Sequence, residues 1–266
     1  MIKRKAYTQL LDWKEKCKGK KALVIEGVRR VGKTTLAKQF GETEYESYIL
    51  IDFNNASLIV KKAFDDLSNL DLFYQIISLE YGVRLFHRKS LIIFDEIQSF
   101  PKARQAVKYL VQDGRFDIIE TGSLISIQEN VTGITIPSEE RNLLMHPLDF
   151  VEFGHYFGEE ILLEHIQDCW IKKAPLPDTI HAKAMRLFKE YLIVGGIPQA
   201  VVAYKENARS FIEADIEKRD ILTLYRNDIK KAARKYSSKA SAIFENVPGF
   251  LSKHERKIVL KEIDPN

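Results

Sequence analysis

The chain has 266 residues, of which 45% are hydrophobic and 29% are charged, and its formal net charge at pH 7 is +4. A chain of this size and composition can bury a substantial core in one large or two modest domains. Its two cysteines, Cys17 and Cys169, lie far apart and lack the paired spacing of a zinc or redox site, so neither kind of site is expected.

The surplus of positive charge is small and lies late in the chain. From residue 207 onward there are 13 lysines or arginines against 9 aspartates or glutamates. Such a charge permits contact with DNA, although a solvated helical face explains it at least as well. No apolar stretch approaches the length of a membrane span, and Met1–Lys5 has no signal-peptide core, so we expect a cytoplasmic protein without membrane contact.

The first motif is a phosphate-binding loop in residues Gly27–Thr35, which match the pattern GxxxxGK[ST]. An apolar run, Ala22–Ile25, precedes it, and a helix-like stretch, Thr35–Phe40, follows it. In such a loop the glycines let the backbone wrap a polyphosphate, Lys33 reaches the β- and γ-phosphates, and the Thr34 hydroxyl ligates Mg²⁺. The residues expected to bind ATP or ADP are Gly27, Val28, Arg29, Arg30, Val31, Gly32, Lys33, Thr34 and Thr35.

The second motif, Ser90–Glu96, is an apolar run that ends in two carboxylates, which is typical of the strand that supports the metal in phosphate-loop proteins. We expect Asp95 to hold Mg²⁺ together with Thr34, and Glu96 to polarise the attacking water as the catalytic base. Taken alone, the pattern also fits a buried strand that emerges into a polar turn. The phosphate loop upstream favours the functional interpretation.

Strand-like and helix-like stretches alternate through the first half of the chain. The predicted strands after the loop are Ser47–Phe53, Leu91–Phe94, Phe116–Ile119 and Asn142–His146, and the predicted helices are Tyr7–Trp13, Leu70–Tyr81 and Ala103–Val111. This alternation implies right-handed crossovers and a parallel sheet covered by helices on both faces. Such sheets bind ligands at the carboxyl ends of their strands, where Gly27, Asp95 and Thr121 would emerge.

A small polar turn, Thr121–Ser123, comes just after the predicted strand Phe116–Ile119. A hydroxyl at this place would lie between the metal and the γ-phosphate and could orient the hydrolytic water. Thr121 and Ser123 are both candidates for that role, and the residues alone do not choose between them. The same three residues also make an ordinary loop turn.

From Phe150 onward the pattern becomes helical. The predicted helices are Phe150–Phe157, Ile161–Trp170, Ala182–Ile193 and Ala208–Lys235, and Gly195–Pro198 is expected to stop the third sharply. We therefore expect an α/β fold: a P-loop NTPase core with a parallel sheet covered on both faces, followed by an all-helical, lid-like domain. The expected boundaries are 1–149 for the P-loop ATPase domain, 150–236 for the helical lid and 237–266 for a C-terminal segment.

Six segments spread over nearly the whole chain form a more specific signature than the phosphate loop alone. They are Gly27–Thr35, Phe94–Gln98, Thr121–Ser123, Pro147–Phe153, Gly195–Pro198 and Leu224–Ile229. This series resembles the predicted AAA-superfamily ATPases of bacteria and archaea that carry an uncharacterised C-terminal domain. The resemblance implies an ATPase core, a helical lid, a winged-helix segment and often a nuclease-like fold, without naming a substrate.

The chain departs from that group in two places. Glu140–Arg141 stands where the group usually has Gly-Arg before the last core strand. The chain also ends at Asn266, soon after Leu251–Ile258, which looks like the first helix of the winged-helix unit. We therefore expect a C-terminally truncated member, in which the DNA-reading or nuclease functions of fuller relatives are not expected.

Two arginines are candidates for stabilising charge on the γ-phosphate in the transition state. Arg141 directly precedes the predicted strand Asn142–His146, and Arg226 lies in the late helical stretch. An arginine in this role commonly comes from a lid or from a neighbouring subunit. For both residues a structural salt bridge is an equally good interpretation.

The sequence supports an ATPase whose hydrolysis of ATP moves the helical lid, because a base such as Glu96 is needed only when water is the nucleophile. The alternative is a switch that binds nucleotide, hardly turns over, and presents its lid to a protein partner or DNA. A small-molecule kinase ranks last, since its lid would need phosphate-binding arginines and residues 150–200 contain only Arg186. Self-association is left open, as an arginine acting from a second subunit would require it.

Overall fold

The computed structural model describes residues 2–123, 139–233 and 236–252. Its strands are β1 (Ala22–Gly27), β2 (Ser47–Asp52), β3 (Ser90–Asp95), β4 (Asp117–Ser123) and β5 (Glu140–Met145). Its α-helices are α1 (Lys5–Cys17), α2 (Lys33–Glu44), α3 (Leu58–Ala63), α4 (Leu70–Tyr81), α5 (Pro101–Asp113), α6 (Phe150–Tyr156), α7 (Glu160–Lys172), α8 (Asp178–Val194), α9 (Pro198–Glu206), α10 (Phe211–Ala233) and α11 (Ser237–Ser252). A short 3₁₀ helix, Ile97–Ser99, follows β3.

The five strands form one parallel sheet in the order β2-β3-β4-β1-β5, which confirms the predicted parallel α/β core. Strand β4 lies between β1 and β3, so its end stands between the phosphate loop and Asp95. The register places Gly27 opposite Ser123 on one side and opposite Met145 on the other. The carboxyl ends of β1, β3 and β4 therefore meet at one edge of the sheet, as parallel strands require.

Helices cover both faces of the sheet. Successive side chains of a strand point to opposite faces, and β1 shows this alternation clearly. Leu23 and Ile25 pack with α1 and α2, whereas Ala22 and Val24 pack in a second cluster with α4 and α5. Trp13 of α1 is buried in the first cluster, and its indole N–H donates to the carbonyl of Lys21 over 3.0 Å.

The helices after β5 build a third hydrophobic cluster of their own. Its members come from α6 to α10 and include Phe153, Leu187, Val201 and Tyr204. The N-terminal residue Ile2 packs against this cluster, so the start of the chain contacts the helical part. The expected boundary between residues 149 and 150 stays a prediction.

The helix stop predicted at Gly195–Pro198 is confirmed, because α8 ends at Val194. The same residues also lead into α9, which was not predicted and has Pro198 at its first helical position. Proline suits that position because its missing N–H would have had no partner there. Helices α3, α9 and α11 were not predicted, while the stretch Ala208–Lys235 appears as α10.

Within the described parts of the chain, no helix is both long and apolar enough to cross a membrane. Of the predicted winged-helix segment, Leu251 and Ser252 belong to the end of α11. The rest of that segment lies outside the described residues, so its assignment stays a prediction.

Candidate nucleotide site

The phosphate loop joins the end of β1 to the start of α2 and depends on two glycines. A Cβ atom on Gly27 would lie 2.3 Å from the carbonyl oxygen of Met145 on β5, so no larger residue fits there. Gly32 precedes α2 with a φ of 97°, which is left-handed and favours glycine. The first N–H groups of α2 have no partner within the helix, so they face the loop as donors for an anion.

Lys33 is the buried cation of this loop and is only 6% exposed. Its Nζ donates to the carbonyl oxygens of Gly27 and Val28, both at 3.1 Å. Burial lowers the pKa of Lys33, and the neighbouring carboxylates of Glu96 and Asp95 oppose that change. An anion that entered the loop would therefore meet an ammonium group that burial has already stripped of water.

Asp95 is the point at which three elements converge. The hydroxyl of Thr34 on α2 donates to its Oδ1 over 2.7 Å, and the hydroxyl of Thr121 on β4 donates to the same oxygen. Asp95 itself is buried at the end of β3. The structure thus brings together three residues that the sequence placed in one site from three separate motifs.

The oxygen atoms of Thr34 and Asp95 fit Mg²⁺, which prefers hard oxygen ligands. Nowhere among the described residues, this place included, is there a group of three or more His, Cys, Asp or Glu side chains arranged to hold a metal. A site with a single carboxylate, that of Asp95, suits Mg²⁺, because this ion usually takes one or two carboxylates and completes its coordination shell with phosphates and water.

Glu96 and Ser123 flank this centre. Glu96 has a left-handed backbone with a φ of 54°, and the side-chain amide of Gln98 donates to its carboxylate. Ser123 is half-buried at the end of β4, opposite Gly27. Thr121 therefore lies inside the centre against Asp95, whereas Ser123 lies beside the mouth of the phosphate loop.

The structure does not bring the two candidate arginines to this centre. Arg141 is exposed near the amino end of β5, where it pairs in register with Leu23. It is four residues before the position opposite Gly27, about 13 Å along the strand. Arg226 instead forms an ion pair with Glu245 of α11, with contacts of 2.5 and 3.1 Å. For Arg226, the structure therefore agrees with the salt-bridge interpretation. Arg141 lies within β5 and not in a loop.

Two residues beside Arg226 contact the phosphate loop, and the sequence analysis missed both. The Tyr225 hydroxyl donates to the carbonyl oxygen of Arg29 over 2.9 Å, and the Arg29 guanidinium donates to Asp228 over 2.8 Å. Residues three apart lie on the same side of a helix, whereas Arg226 is turned away from both. Helical spacing within Leu224–Ile229 could have indicated this pair.

A second missed contact ties the N-terminal segment to the loop. Arg4 donates to the carbonyl oxygens of Val31 at 2.9 Å and His146 at 2.5 Å, and its Nε lies 3.2 Å from Glu152. Glu152 also accepts from the Lys5 backbone N–H at 2.6 Å. The conspicuous motif Pro147–Phe153 thus supplies an anchor for the segment that precedes α1.

The local structure of that motif explains how Glu152 is held. Asp149 caps α6 and accepts from the Glu152 backbone N–H at 2.8 Å, while the Glu152 carboxylate accepts from the Asp149 N–H at 3.2 Å. This reciprocal arrangement is a capping box. It fixes the Glu152 side chain where it meets Arg4.

A cleft of about 660 Å³ opens directly beside the phosphate loop. Gly32 and Thr35 form one wall, and residues from the N-terminal segment, α9 and α10 form the others. Among the side chains that line the cleft are Ile2, Arg4, Leu36, Tyr156, Pro198 and Val202. Polar and charged side chains also line the cleft, among them Gln39, Glu206, Glu213 and Glu217.

Glu140, one of the two residues at which the chain departs from the resembled group, has a charged partner in α5. Glu140 forms a buried ion pair with Arg104 of α5, 3.0 Å apart. Nearby, Glu120 is fully buried, and neither of its carboxylate oxygens has a hydrogen-bond partner in the described structure. Burial, followed by the charge of Glu140, raises the pKa of Glu120 well above its usual range, and Arg104 opposes this. This environment favours the neutral acid at Glu120.

A family model described as an AAA domain matches residues 19–154, just over half of the chain. The match contains the phosphate loop, Asp95 and Thr121. A comparison with curated proteins gave no match.

Three solved structures that align with this chain are each 13% identical to it in sequence. C. elegans PCH-2 aligns over 85% of this chain and 69% of its own, with a TM-score of 0.40. The Aeropyrum pernix ORC1 protein, solved in complex with DNA, aligns over 100% and 82%, with a TM-score of 0.37. The Pyrococcus furiosus Hef helicase domain aligns over 99% and 69%, with a TM-score of 0.26. Likeness at these scores is too weak to assign a ligand or a partner.

Proposed function

The chain belongs to the AAA domain family, and on that premise we propose that it binds ATP with Mg²⁺ at Gly27–Thr35 and hydrolyses it. Family membership supports nucleotide binding and ATPase activity in general. One observation carries the specific proposal: Lys33, Thr34, Asp95 and Thr121 converge at the end of a glycine-dependent loop. That arrangement joins a buried cation, helix N–H donors and hard oxygen atoms.

Each residue has a distinct part in this proposal. The ammonium group of Lys33 and the N–H groups of α2 bind the β- and γ-phosphates. Thr34 and Asp95 hold the metal, which when bound would neutralise charge on those phosphates. Thr121 fixes the Asp95 carboxylate, and Glu96 takes the proton of the attacking water.

The nucleoside part of ATP fits the cleft beside Gly32 and Thr35. In that place it would contact the N-terminal segment, α9 and α10 together, so nucleotide binding and hydrolysis would change how the helices of residues 150–236 pack beside the loop. Movement of the helical lid would thereby be coupled to the nucleotide.

Calorimetric titration with ATP, with and without Mg²⁺, tests the binding site. Lys33→Ala removes the buried cation and should weaken ATP binding at least about tenfold, as expected for hydrogen bonds to charged groups. Lys38→Ala is a matched control, because Lys38 is an exposed lysine on the same helix. Equal ATP affinity in the two variants would rule out the loop as the nucleotide site.

A nucleotide-dependent switch that hardly turns over is the second candidate. The hydrogen bond from Gln98 to the Glu96 carboxylate favours it, because it engages the group proposed as the base. Such a switch would bind ATP through Lys33 and present its helical part to a protein partner or DNA. Tight ATP binding without phosphate release would support this candidate over the ATPase.

A further inference from the structure

Helix α10 contacts the phosphate loop at Arg29 through two hydrogen bonds. The Tyr225 hydroxyl donates to the Arg29 carbonyl over 2.9 Å, and the Asp228 carboxylate accepts from the Arg29 guanidinium over 2.8 Å. One contact holds the backbone of the loop and the other holds the side chain. These residues are almost 200 positions apart in the chain, so the contact joins the phosphate loop to a helix that is distant in sequence.

Arg29 is itself part of the phosphate loop, four residues before the buried Lys33, and its side chain is partly exposed. A polyphosphate bound in the loop would therefore also attract the Arg29 guanidinium. ATP carries several negative charges and Asp228 only one, so the phosphates would compete strongly for Arg29.

We propose that Tyr225 and Asp228 form a latch that holds α10 on the nucleotide-free loop, and that the phosphates of ATP release it by drawing Arg29 away from Asp228. This inference rests on the proposed function, because it takes the loop to be the nucleotide site. Binding and release are reciprocal: if ATP opens the latch, weakening the latch must raise the affinity for ATP.

The latch has a route to the rest of the helical part. Arg226, next to Tyr225, forms its ion pair with Glu245 of α11. This ion pair connects α11 to α10 at the residue next to Tyr225, so a movement of α10 at the latch would also act on α11. Release at Arg29 would change the position or the local stability of both helices, which is the form a signal from the nucleotide site would take.

Hydrogen exchange of the backbone amides in the second half of α10 tests the latch directly. The variant is Asp228→Asn, which keeps the shape of the side chain and removes its charge. The matched control is Asp220→Asn, because Asp220 is exposed on the same helix about two turns earlier. The nucleotide probe is the non-hydrolysable analogue AMP-PNP with Mg²⁺, and its affinity is measured by calorimetry on the same proteins.

Without nucleotide, we expect faster exchange around residue 228 in Asp228→Asn than in the wild type, and no change in Asp220→Asn. AMP-PNP should raise the exchange of the wild type towards the level of Asp228→Asn and should leave that variant unchanged. Asp228→Asn should also bind AMP-PNP about twofold to fivefold more tightly, the range that an exposed ion pair can supply. Tyr225→Phe, which removes only the hydroxyl, should shift exchange and affinity in the same directions.

Two results would overturn the latch while leaving the nucleotide site intact. One is equal exchange in Asp228→Asn and Asp220→Asn without nucleotide. The other is AMP-PNP that binds the wild type yet leaves the exchange of α10 unchanged. A different result, no binding of AMP-PNP to the wild type, would overturn the proposed function and with it the response of the latch to nucleotide.

Discussion

The buried ion pair between Arg4 and Glu152 gives the sharpest prediction of stability. The two side chains are 8% and 7% exposed, and the Glu152 carboxylate also accepts from the backbone N–H of Lys5. Glu152→Ala would leave the Arg4 guanidinium buried without its counter-charge, with the carbonyls of Val31 and His146 as its remaining partners. It would also remove one half of the capping box at the start of α6.

The expected cost follows from these contacts. Removing one partner of a buried pair costs about 3–5 kcal/mol; the Asp149 side chain still caps α6, because its bond to the backbone N–H of residue 152 survives the substitution. Because Arg4 keeps two carbonyl partners, we expect a total near the lower end, about 3 kcal/mol. Lys5→Ala is the matched control, since it breaks the neighbouring Lys5–Asp149 pair, whose side chains are 58% and 49% exposed. An exposed pair contributes at most about 1 kcal/mol.

Urea unfolding followed by circular dichroism measures both changes from the shift in the free energy of unfolding. Glu152→Gln keeps an acceptor for the Lys5 amide without the charge, so it should fall between Glu152→Ala and the wild type. The reasoning fails if Glu152→Ala destabilises the protein no more than Lys5→Ala does. That result would mean that the N-terminal segment is not anchored through this pair.

Three further predictions concern single side chains. In urea unfolding, Glu120→Gln should be more stable than the wild type at pH 8, and the difference should vanish near pH 4. Because the pKa of Glu120 is raised in the folded protein, the folded wild type keeps a proton that the unfolded chain loses, and the stability of the wild type therefore falls as pH rises. Thr121→Val should lower ATP turnover about tenfold or more in a phosphate-release assay, because it removes a hydrogen bond to the charged Asp95; unchanged turnover would exclude Thr121 from the site. Arg226→Ala should leave turnover within about twofold, since its partner is Glu245 and the exposed pair adds little; a large loss of turnover would restore Arg226 as a catalytic candidate.

The core of the site could be predicted because each part has a local signature. The loop Gly27–Thr35 shows its glycines, lysine and threonine within nine adjacent residues, and Asp95 follows an unbroken apolar strand. The sheet rules then place the ends of parallel strands together without further information. The meeting of Thr34, Thr121 and Asp95 is thus a consequence of local patterns and topology.

The contacts that fasten the loop to the rest of the molecule leave no such signature. Arg4 meets Glu152, and Arg29 meets Asp228, across more than a hundred residues of chain. Charged residues are common along the chain, and nothing in the local sequence selects one partner over another. The sequence analysis named Arg226 as a catalytic candidate because it is an arginine. In the structure the Arg226 side chain points towards α11, whereas the Asp228 side chain points towards the loop.

The elements that the sequence analysis missed have local causes. Helix α3 spans only six residues, Leu58–Ala63, too few for a periodic pattern to emerge. Helix α9 begins at Pro198 directly after two glycines, which are strong signals for a break. At Glu140–Arg141 the strand starts earlier than expected, because Glu140 has a buried partner in Arg104.

The most direct test of the central claim is the rate of phosphate release from ATP and Mg²⁺ by the purified chain, with the wild type beside Glu96→Gln. The substitution keeps the size of the side chain and removes its ability to take a proton. We predict turnover in the wild type, a loss of about 100-fold or more in Glu96→Gln, and equal ATP affinity in both. Equal turnover in the two proteins would contradict the proposed mechanism, and no turnover in either, with ATP bound, would leave the nucleotide switch in its place.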